Sequence, residues 1–173
     1  SVMTICYTYI YEKSKMCDYE LATDTLCSQV GFALEMLPEN FSQRENLQKL
    51  QELIYHQNGS IRGKMAISAA DLEWLNQWQK DLQSELYPQG DVPRAKDIFV
   101  LPAGTAGASA LHLARCQAKT VVRIMGQLKR DGVEVSKLLL EWANVVANIF
   151  FDLAKTANSE SGRAEIPFVS KSY

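Results

Sequence analysis

The sequence predicts an all-α fold, an antiparallel bundle of five helices in a single domain over residues 1–173. Five segments carry apolar residues at three- and four-residue spacing, and apart from a possible short extended stretch at Thr4–Tyr11 no segment alternates with period two. With 47% hydrophobic and 22% charged residues, the chain has the composition of an ordinary soluble globular protein. We expect residues 1–18 to form an irregular N-terminal segment and residues 159–173 to form a mobile tail in which Ile166–Phe168 can dock against the body.

The first three helical segments have recognisable ends. Helix one starts near Tyr19 and stops before Pro38, and its apolar positions are Leu26, Val30, Ala33, Leu34 and Leu37. Ser42 and Glu45 have the spacing of a capping box at the start of helix two, which stops at Asn58–Gly59. Ser68, with Asp71 three residues later, predicts the start of helix three. The buried stripe of helix three is expected to be Leu72, Leu75, Trp78, Leu82 and Leu86.

A long loop separates these helices from the last two. Residues 90–107 contain two of the five prolines and three of the nine glycines, and long loops within compact domains are often functional. Helix four is predicted from about Thr105 to Leu128, and helix five from about Val135 to Asn158. The apolar stripe of helix five is wide enough to be covered on two sides, which indicates a central or interfacial helix.

Charge and cysteine content exclude several functional classes. Eighteen Lys and Arg residues face 20 Asp and Glu residues, a net charge of −2, so we expect no binding to nucleic acid or to an anionic membrane. No apolar run reaches the ~20 residues of a membrane helix. The four cysteines form no C-x-x-C pair and the N-terminal residues do not resemble an export signal, so we expect reduced thiols and a cytoplasmic protein.

The most distinctive polar feature is a row of cations on helix four. Arg115, Lys119 and Arg123 lie within about 80° of one another and span about 12 Å of the helix axis. No Asp or Glu occurs between Asp97 and Asp131, so the row has no acidic partner in its own segment. This arrangement suits a bound polyphosphate, and the alternative is a solvated helix face.

Other candidate chemistry is weaker. His112 and Cys116 could supply half of a metal site, but the only other histidine, His56, has no companion at ligand spacing, so we predict no metal centre. Two histidines also assemble no credible nucleophile triad or dyad. Asp24 interrupts the apolar pattern of helix one, where it is either solvated or needs a cationic partner.

Several short motifs together resemble the PduO-type ATP:cob(I)alamin adenosyltransferases. The motifs are DTLCSQVG at 24–31, FVLPAGT at 99–105, HLAR at 112–115, WAN at 142–144 and NIFF at 148–151. The resemblance covers most of the chain from Tyr19 to Asn158. It implies a ferritin-like five-helix bundle that assembles as a homotrimer, with ATP and cobalamin at subunit interfaces and Mg²⁺ accompanying the nucleotide.

The resemblance also implies roles for individual residues. Arg115 would pair with Asp24 and order the ATP site, Lys119 would contact the phosphates, and Phe99 would occupy the lower face of the corrin. The remaining cofactor-binding candidates are Arg123, Asn144 and Asn148. The implied reaction transfers the 5′-deoxyadenosyl group of ATP to cobalt and releases triphosphate.

Two alternatives remain open. The family has a glycine-rich triphosphate loop that segment 4–9 lacks, an arginine where this chain has Val145 and an aspartate where it has Asn148. These differences fit a non-catalytic corrinoid- or nucleotide-binding relative that has lost the triphosphate loop. A plain helical oligomerisation module is the other alternative.

Overall fold

Five α-helices make up most of the computed structural model, which describes residues 4–93 and 99–173. They are α1 (Lys15–Met36), α2 (Arg44–Gly59), α3 (Ala69–Leu86), α4 (Ala106–Arg130) and α5 (Lys137–Glu160). The described residues contain no β-strand, only one isolated β-bridge. The prediction of an all-α, five-helix fold is therefore confirmed, although α1 begins four residues before the expected start near Tyr19.

Side-chain caps explain where four of the helices begin. The hydroxyls of Ser14, Ser68, Thr105 and Ser136 accept backbone N–H groups in the first turns of α1, α3, α4 and α5. At Ser68 the backbone N–H also donates to the Asp71 carboxylate (2.8 Å), so the predicted cap is a complete capping box.

The predicted capping box of helix two does not form. α2 begins one residue later than that box requires, with Gln43 as its N-cap and no side-chain cap bond. Ser42 instead donates its backbone N–H (3.1 Å) and its hydroxyl to the carboxylate of Glu160 at the end of α5. The Ser42 hydroxyl therefore binds the distant Glu160 and does not cap α2 as the local sequence pattern predicted.

The helices pack with α1 against α2 and α4, α4 against α5, and α5 against α3. Gln117, midway along α4, donates to the carbonyl of Ala22 in the first half of α1 (3.0 Å). Gly107, at the start of α4, lies against Leu37 at the end of α1, so the two helices are antiparallel. Gln57 of α2 links three helices, because its carbonyl and side-chain oxygens accept from Tyr19 (2.7 Å) and Trp142 (2.9 Å). Both of these large aromatic side chains are completely buried.

The N-terminal segment before α1 is not extended, contrary to the expectation for residues 4–11. Its backbone forms turns, closed by hydrogen bonds between residues three positions apart. Tyr7 donates to Glu20 (2.6 Å), and the Arg62 guanidinium lies 3.7 Å from the ring centre of Tyr9. No strand among the described residues runs alongside to pair with an extended backbone, so turns satisfy its polar groups instead.

Two further features of the chain are the state of its cysteines and the composition of its helices. All four cysteines are free thiols, with Cys17 and Cys27 buried and Cys6 and Cys116 exposed. In the part of the chain that the structure describes, no helix combines the length and apolarity needed to cross a bilayer.

Candidate functional site

The loop before α4 carries Phe99 and is held by the end of α5. Gly104 has a φ of +121°, and a Cβ at this position would overlap the side-chain amide of Asn158. Asn158 is completely buried; it accepts the Thr105 N–H (2.9 Å) and donates to the Ala103 carbonyl (3.1 Å). Only glycine fits this close approach of loop and helix.

The C-terminal tail holds the same loop from the other side. Val100 and Pro167 form the isolated antiparallel bridge, and backbone hydrogen bonds of 2.9 Å run from Leu101 to Ile166 and from Phe168 to Phe99. The expectation that Ile166–Phe168 docks against the body is confirmed. Part of the loop predicted over residues 90–107, namely residues 94–98, lies outside the described residues.

A cavity of about 390 Å³ opens beside Phe99, between α3, α4 and α5. Its described lining residues are Gln79, Gln83, Val92, Pro93, Phe99, Val100, His112, Arg115, Lys119, Ala147, Asn148, Phe151 and Asp152. The Phe99 side chain is 47% exposed, so its ring offers an apolar surface to a ligand rather than filling the core. We call this space the Phe99 cavity.

The structure brings four of the seven predicted site residues to the Phe99 cavity: Phe99, Arg115, Lys119 and Asn148. Arg115 and Lys119 lie one turn apart on α4, and Asn148 faces them from α5. Arg123, one further turn along α4, is exposed and outside the cavity lining. The cation row therefore begins at the cavity and continues along an exposed part of α4.

His112 orients Arg115. The Arg115 Nε–H donates to His112 Nδ1 (3.3 Å), and the imidazole ring packs edge-on against Phe151 with 6.2 Å between ring centres. His112 is buried, and both its burial and the Arg115 charge lower its pKa. A neutral imidazole whose Nδ1 accepts must carry its proton on Nε2.

Asp152 is a buried carboxylate in this cavity that the sequence reasoning missed. It is 5% exposed and accepts a hydrogen bond from Gln83 Nε2 (3.2 Å). Burial raises its pKa, while hydrogen bonds from Gln83 and Gln79 and the charge of Lys155 act in the opposite direction. An acidic residue inside the apolar stripe of helix five was the available sequence signal.

Asp24 lies in a different cavity, of about 380 Å³, between α1, α2 and the N-terminal segment. It is exposed and accepts a hydrogen bond from the Tyr55 hydroxyl (2.9 Å). Within one chain no ion pair joins Asp24 to Arg115, whose guanidinium contacts His112 and Cys116 instead. Of the two possibilities that the sequence left open for Asp24, the solvated one is observed in the single chain.

Asn144 lines a third cavity, of about 690 Å³, between α3 and the first turns of α5. Its side chain is exposed and donates to the Leu140 carbonyl (2.9 Å). Val145, next to it, lines the same cavity. Asp24 and Asn144 are thus separated within one chain from the residues around Phe99.

This arrangement has a clear chemical character. The Phe99 cavity combines two aromatic rings with two cations, of which Arg115 is held by His112 and Lys119 is exposed, and this suits a ligand that has both a flat apolar face and an anionic group. The described residues contain no cluster of three His, Cys, Asp or Glu side chains that could hold a metal ion. The aromatic rings and the cations together can bind and orient such a ligand.

Known proteins similar to this chain agree with a cavity for a ligand that has a flat apolar face and an anionic group. The cobalamin adenosyltransferase family model matches residues 11–157. The chain is 27% identical to the human corrinoid adenosyltransferase MMAB over 155 residues, which is 83% of this chain and 59% of that protein. It is also 27% identical to the mouse protein of the same name, covering 83% of this chain and 62% of the relative. The chain therefore spans about three fifths of the length of these curated relatives.

Solved structures share the fold. A variant of the PduO-type ATP:corrinoid adenosyltransferase from Lactobacillus reuteri, complexed with cobalamin and ATP, superposes with a TM-score of 0.77 at 22% identity, covering 93% of this chain and 90% of that one. A second variant, complexed with ATP, has a TM-score of 0.72 at 24% identity, covering 92% and 89%. Since the family model matches well over half of the chain and the helices superpose, the chain belongs to the cobalamin adenosyltransferase family.

Proposed function

We propose that this protein transfers the 5′-deoxyadenosyl group of ATP to the cobalt of a reduced corrinoid, cob(I)alamin, and releases triphosphate. The observation that supports this most directly is the exposed Phe99 ring in the same cavity as Arg115 and Lys119. An apolar ring surface and two cations side by side match the two halves of the reaction, a corrin ring and a polyphosphate.

Phe99 has the task of keeping ligands away from one face of the cobalt. An apolar side chain there excludes both water and an axial donor, which lowers the energy of the cobalt orbital that accepts an electron during reduction. The Asn158 amide and the tail bridge hold the loop that presents this ring.

Arg115 and Lys119 have the task of stabilising the leaving group. In the transfer, the cobalt electron pair forms a bond to C5′ of ATP, the C5′–O bond breaks, and its electron pair leaves with triphosphate. Fixed cations lower the energy of this step because negative charge develops on the departing oxygen. No general acid or base is required, which agrees with a site whose imidazole is neutral and already bonded to Arg115.

The remaining predicted residues enter through assembly. We propose a homotrimer in which a neighbouring chain brings Asp24 and Asn144 to the nucleotide, since a single chain keeps these two residues in cavities apart from Phe99. Arg123 would extend the cation row of α4 along the phosphates. Exposed apolar side chains on α1 and α4, including Phe32 (51%) and Leu113 (56%), support a partner-covered surface. Analytical ultracentrifugation should give three times the 19.4 kDa chain mass, and a monomer would contradict this.

The proposal also includes Mg²⁺ bound together with ATP and a cytoplasmic location of the protein. Mg²⁺ would be held chiefly by triphosphate oxygens and water, which needs few protein ligands, and no step above depends on it. A cytoplasmic location fits four free thiols.

The decisive experiment is an adenosylation assay with cob(I)alamin and ATP under reducing conditions. We expect Lys119→Ala to lower the rate by about 10- to 100-fold, because a cation at the leaving group is removed. Lys80→Ala, an exposed lysine on α3 outside the cavity lining, is the matched control and should retain the wild-type rate. Equal rates in the two variants would rule out the role of Lys119.

A non-catalytic corrinoid- or nucleotide-binding protein is the second candidate. It is favoured by the N-terminal segment, which contains no glycine in residues 4–13 and forms turns held by Glu20 and Arg62. Separate calorimetric titrations with cobalamin and ATP distinguish the two. Corrinoid binding without ATP binding, together with no adenosylated product, would favour this candidate over the enzyme.

A further inference from the structure

The Phe99 cavity contains a buried hydrogen-bond donor with no acceptor among the described residues. His112 is 4% exposed, and its Nε2 atom has no hydrogen-bond partner there. Its Nδ1 accepts from Arg115, so Nε2 carries the proton. Leaving a buried donor unsatisfied destabilises the folded state, so this N–H is suited to bind an acceptor on a ligand.

The same cavity contains the complementary acceptor. Asp152 is 5% exposed and the only acidic side chain among the described residues that line this cavity. Gln83 occupies one position on its oxygen Oδ2, at 3.2 Å. A carboxylate offers about four acceptor positions, so capacity remains for a donor from a ligand.

These two groups line the same cavity, His112 from α4 and Asp152 from α5. Phe151, whose ring is 6.2 Å from that of His112, directly precedes Asp152 in α5. A ligand group that satisfies both must present an acceptor and an N–H donor close together. A primary carboxamide does this, whereas a carboxylate offers no donor and is repelled by Asp152, and an alkyl group offers neither.

We propose that His112 and Asp152 bind a primary carboxamide of the corrinoid, with His112 Nε2 donating to the carbonyl oxygen and Asp152 accepting from the NH₂ group. The proposal rests on the proposed function, because peripheral carboxamides of a corrin would enter this cavity beside Phe99. Gln83 and Gln79 act as positioning residues that hold the Asp152 carboxylate. The pair would make the protein selective for amidated corrinoids over their carboxylic acids.

The test compares cobalamin with the isomeric monocarboxylic acids in which one peripheral carboxamide is hydrolysed. Dissociation constants would be measured by titration against the wild-type protein, Asp152→Asn and Asp81→Asn. We expect the wild type to bind at least one of these acids about tenfold or more weakly than cobalamin, because that acid lacks a donor and faces a buried carboxylate. Asp152→Asn should reduce this ratio to below about threefold, since an amide can donate to the acid.

Asp81→Asn controls for the loss of one negative charge, because Asp81 lies exposed on α3 outside the cavity lining. It should keep the wild-type ratio. Equal binding of every acid and cobalamin by the wild type, or an unchanged ratio in Asp152→Asn, would overturn the proposal.

Two further readouts separate the possible failures. Adenosylation of cobalamin by the wild type tests the proposed function whatever the acid ratios are, and a protein that binds no cobalamin would overturn both proposals. Adenine also presents an acceptor beside an amino group, so ATP affinity is measured in the same variants. A loss of ATP affinity in Asp152→Asn with unchanged corrinoid ratios would assign the pair to adenine and overturn the assignment to the corrinoid.

Discussion

Arg115 illustrates how one residue can be identified by its charge but explained only by its neighbours. Its position at the start of a cation row is visible in the sequence, but its orientation comes from the hydrogen bond to His112 Nδ1. That bond needs a neutral imidazole, and burial together with the Arg115 charge lowers the His112 pKa and keeps the ring neutral. Glu165, from the tail, acts weakly in the opposite direction.

A pH dependence of stability follows from His112. The unfolded chain binds a proton at the ordinary histidine pKa, about 6.5, and the folded chain binds it only at lower pH. The contribution of His112 to the free energy of unfolding is therefore present above about pH 6.5 and is lost as the pH falls toward the lowered pKa of the folded state.

Urea unfolding at pH values above and below this range measures the effect. We expect His112→Gln to cost about 1 kcal/mol near neutral pH and to lose less stability than the wild type on acidification, because glutamine does not titrate. His56→Gln, at the exposed histidine of α2, is the control and should keep the wild-type slope. The same slope in the wild type and His112→Gln would contradict this account.

At the scale of elements, the loop of residues 99–105 depends on a close contact with α5. Gly90 and Gly104 have nearly identical φ values, +120° and +121°, but only Gly104 has atoms of another side chain where a Cβ would lie. This pair separates backbone strain from steric overlap.

We expect Gly90→Ala to destabilise the protein by about 1–2 kcal/mol through backbone strain alone. Gly104→Ala should cost about 1–3 kcal/mol more, because the Asn158 side chain must move and release the loop. Denaturant unfolding of the two variants measures the difference, and cobalamin affinity should fall only in Gly104→Ala. Equal losses of stability in the two variants would contradict this, because they would show that the Asn158 side chain can move aside without destabilising the protein.

At the scale of the whole molecule, the segment before α1 and the tail after α5 are both held on the bundle by contacts with residues distant in sequence. The tail pairs with the Phe99 loop and is further held by an ion pair between Lys155 and Glu165 (2.5 Å). The N-terminal segment is held by Arg62, which bonds to Glu12 (2.8 Å) and to the buried Glu20 (2.7 Å). The N-terminal segment contributes Cys6 and Tyr7 to the wall of the cavity that contains Asp24, and the tail supports the loop that carries Phe99.

Arg62→Met should lower the free energy of unfolding by about 3 kcal/mol, because it leaves the buried Glu20 carboxylate without its cation. Lys15→Met is the matched control. It breaks an exposed pair with Asp18 (4.0 Å), in which the side chains are 48% and 54% exposed, and should cost less than about 0.5 kcal/mol. Urea unfolding of both variants measures this, and similar losses would mean that the Arg62 network is weak.

Local patterns were sufficient for most of the architecture. Apolar spacing predicted all five helices, and the Ser68–Asp71 box formed as expected because its atoms lie within one helical turn. The Phe99 loop and the start of the cation row were also visible in the sequence, because loop composition and charge spacing are local properties. The predicted Ser42 cap was wrong because Glu160, which is distant in sequence, binds its hydroxyl. The predicted extended N-terminal segment was wrong because turns satisfy its backbone groups while the distant Glu20 and Arg62 hold the side chains of Tyr7 and Tyr9.

The fold class, the family and the residue types of the site follow from the sequence alone, since periodicity and motifs are read along one chain. The packing of the helices places Asp152 with His112 in the Phe99 cavity and leaves Asp24 and Asn144 in other cavities. Sequence alone could not predict this because shared cavities depend on which helix faces meet, and residues 40 positions apart, such as 112 and 152, carry no local signal of that meeting.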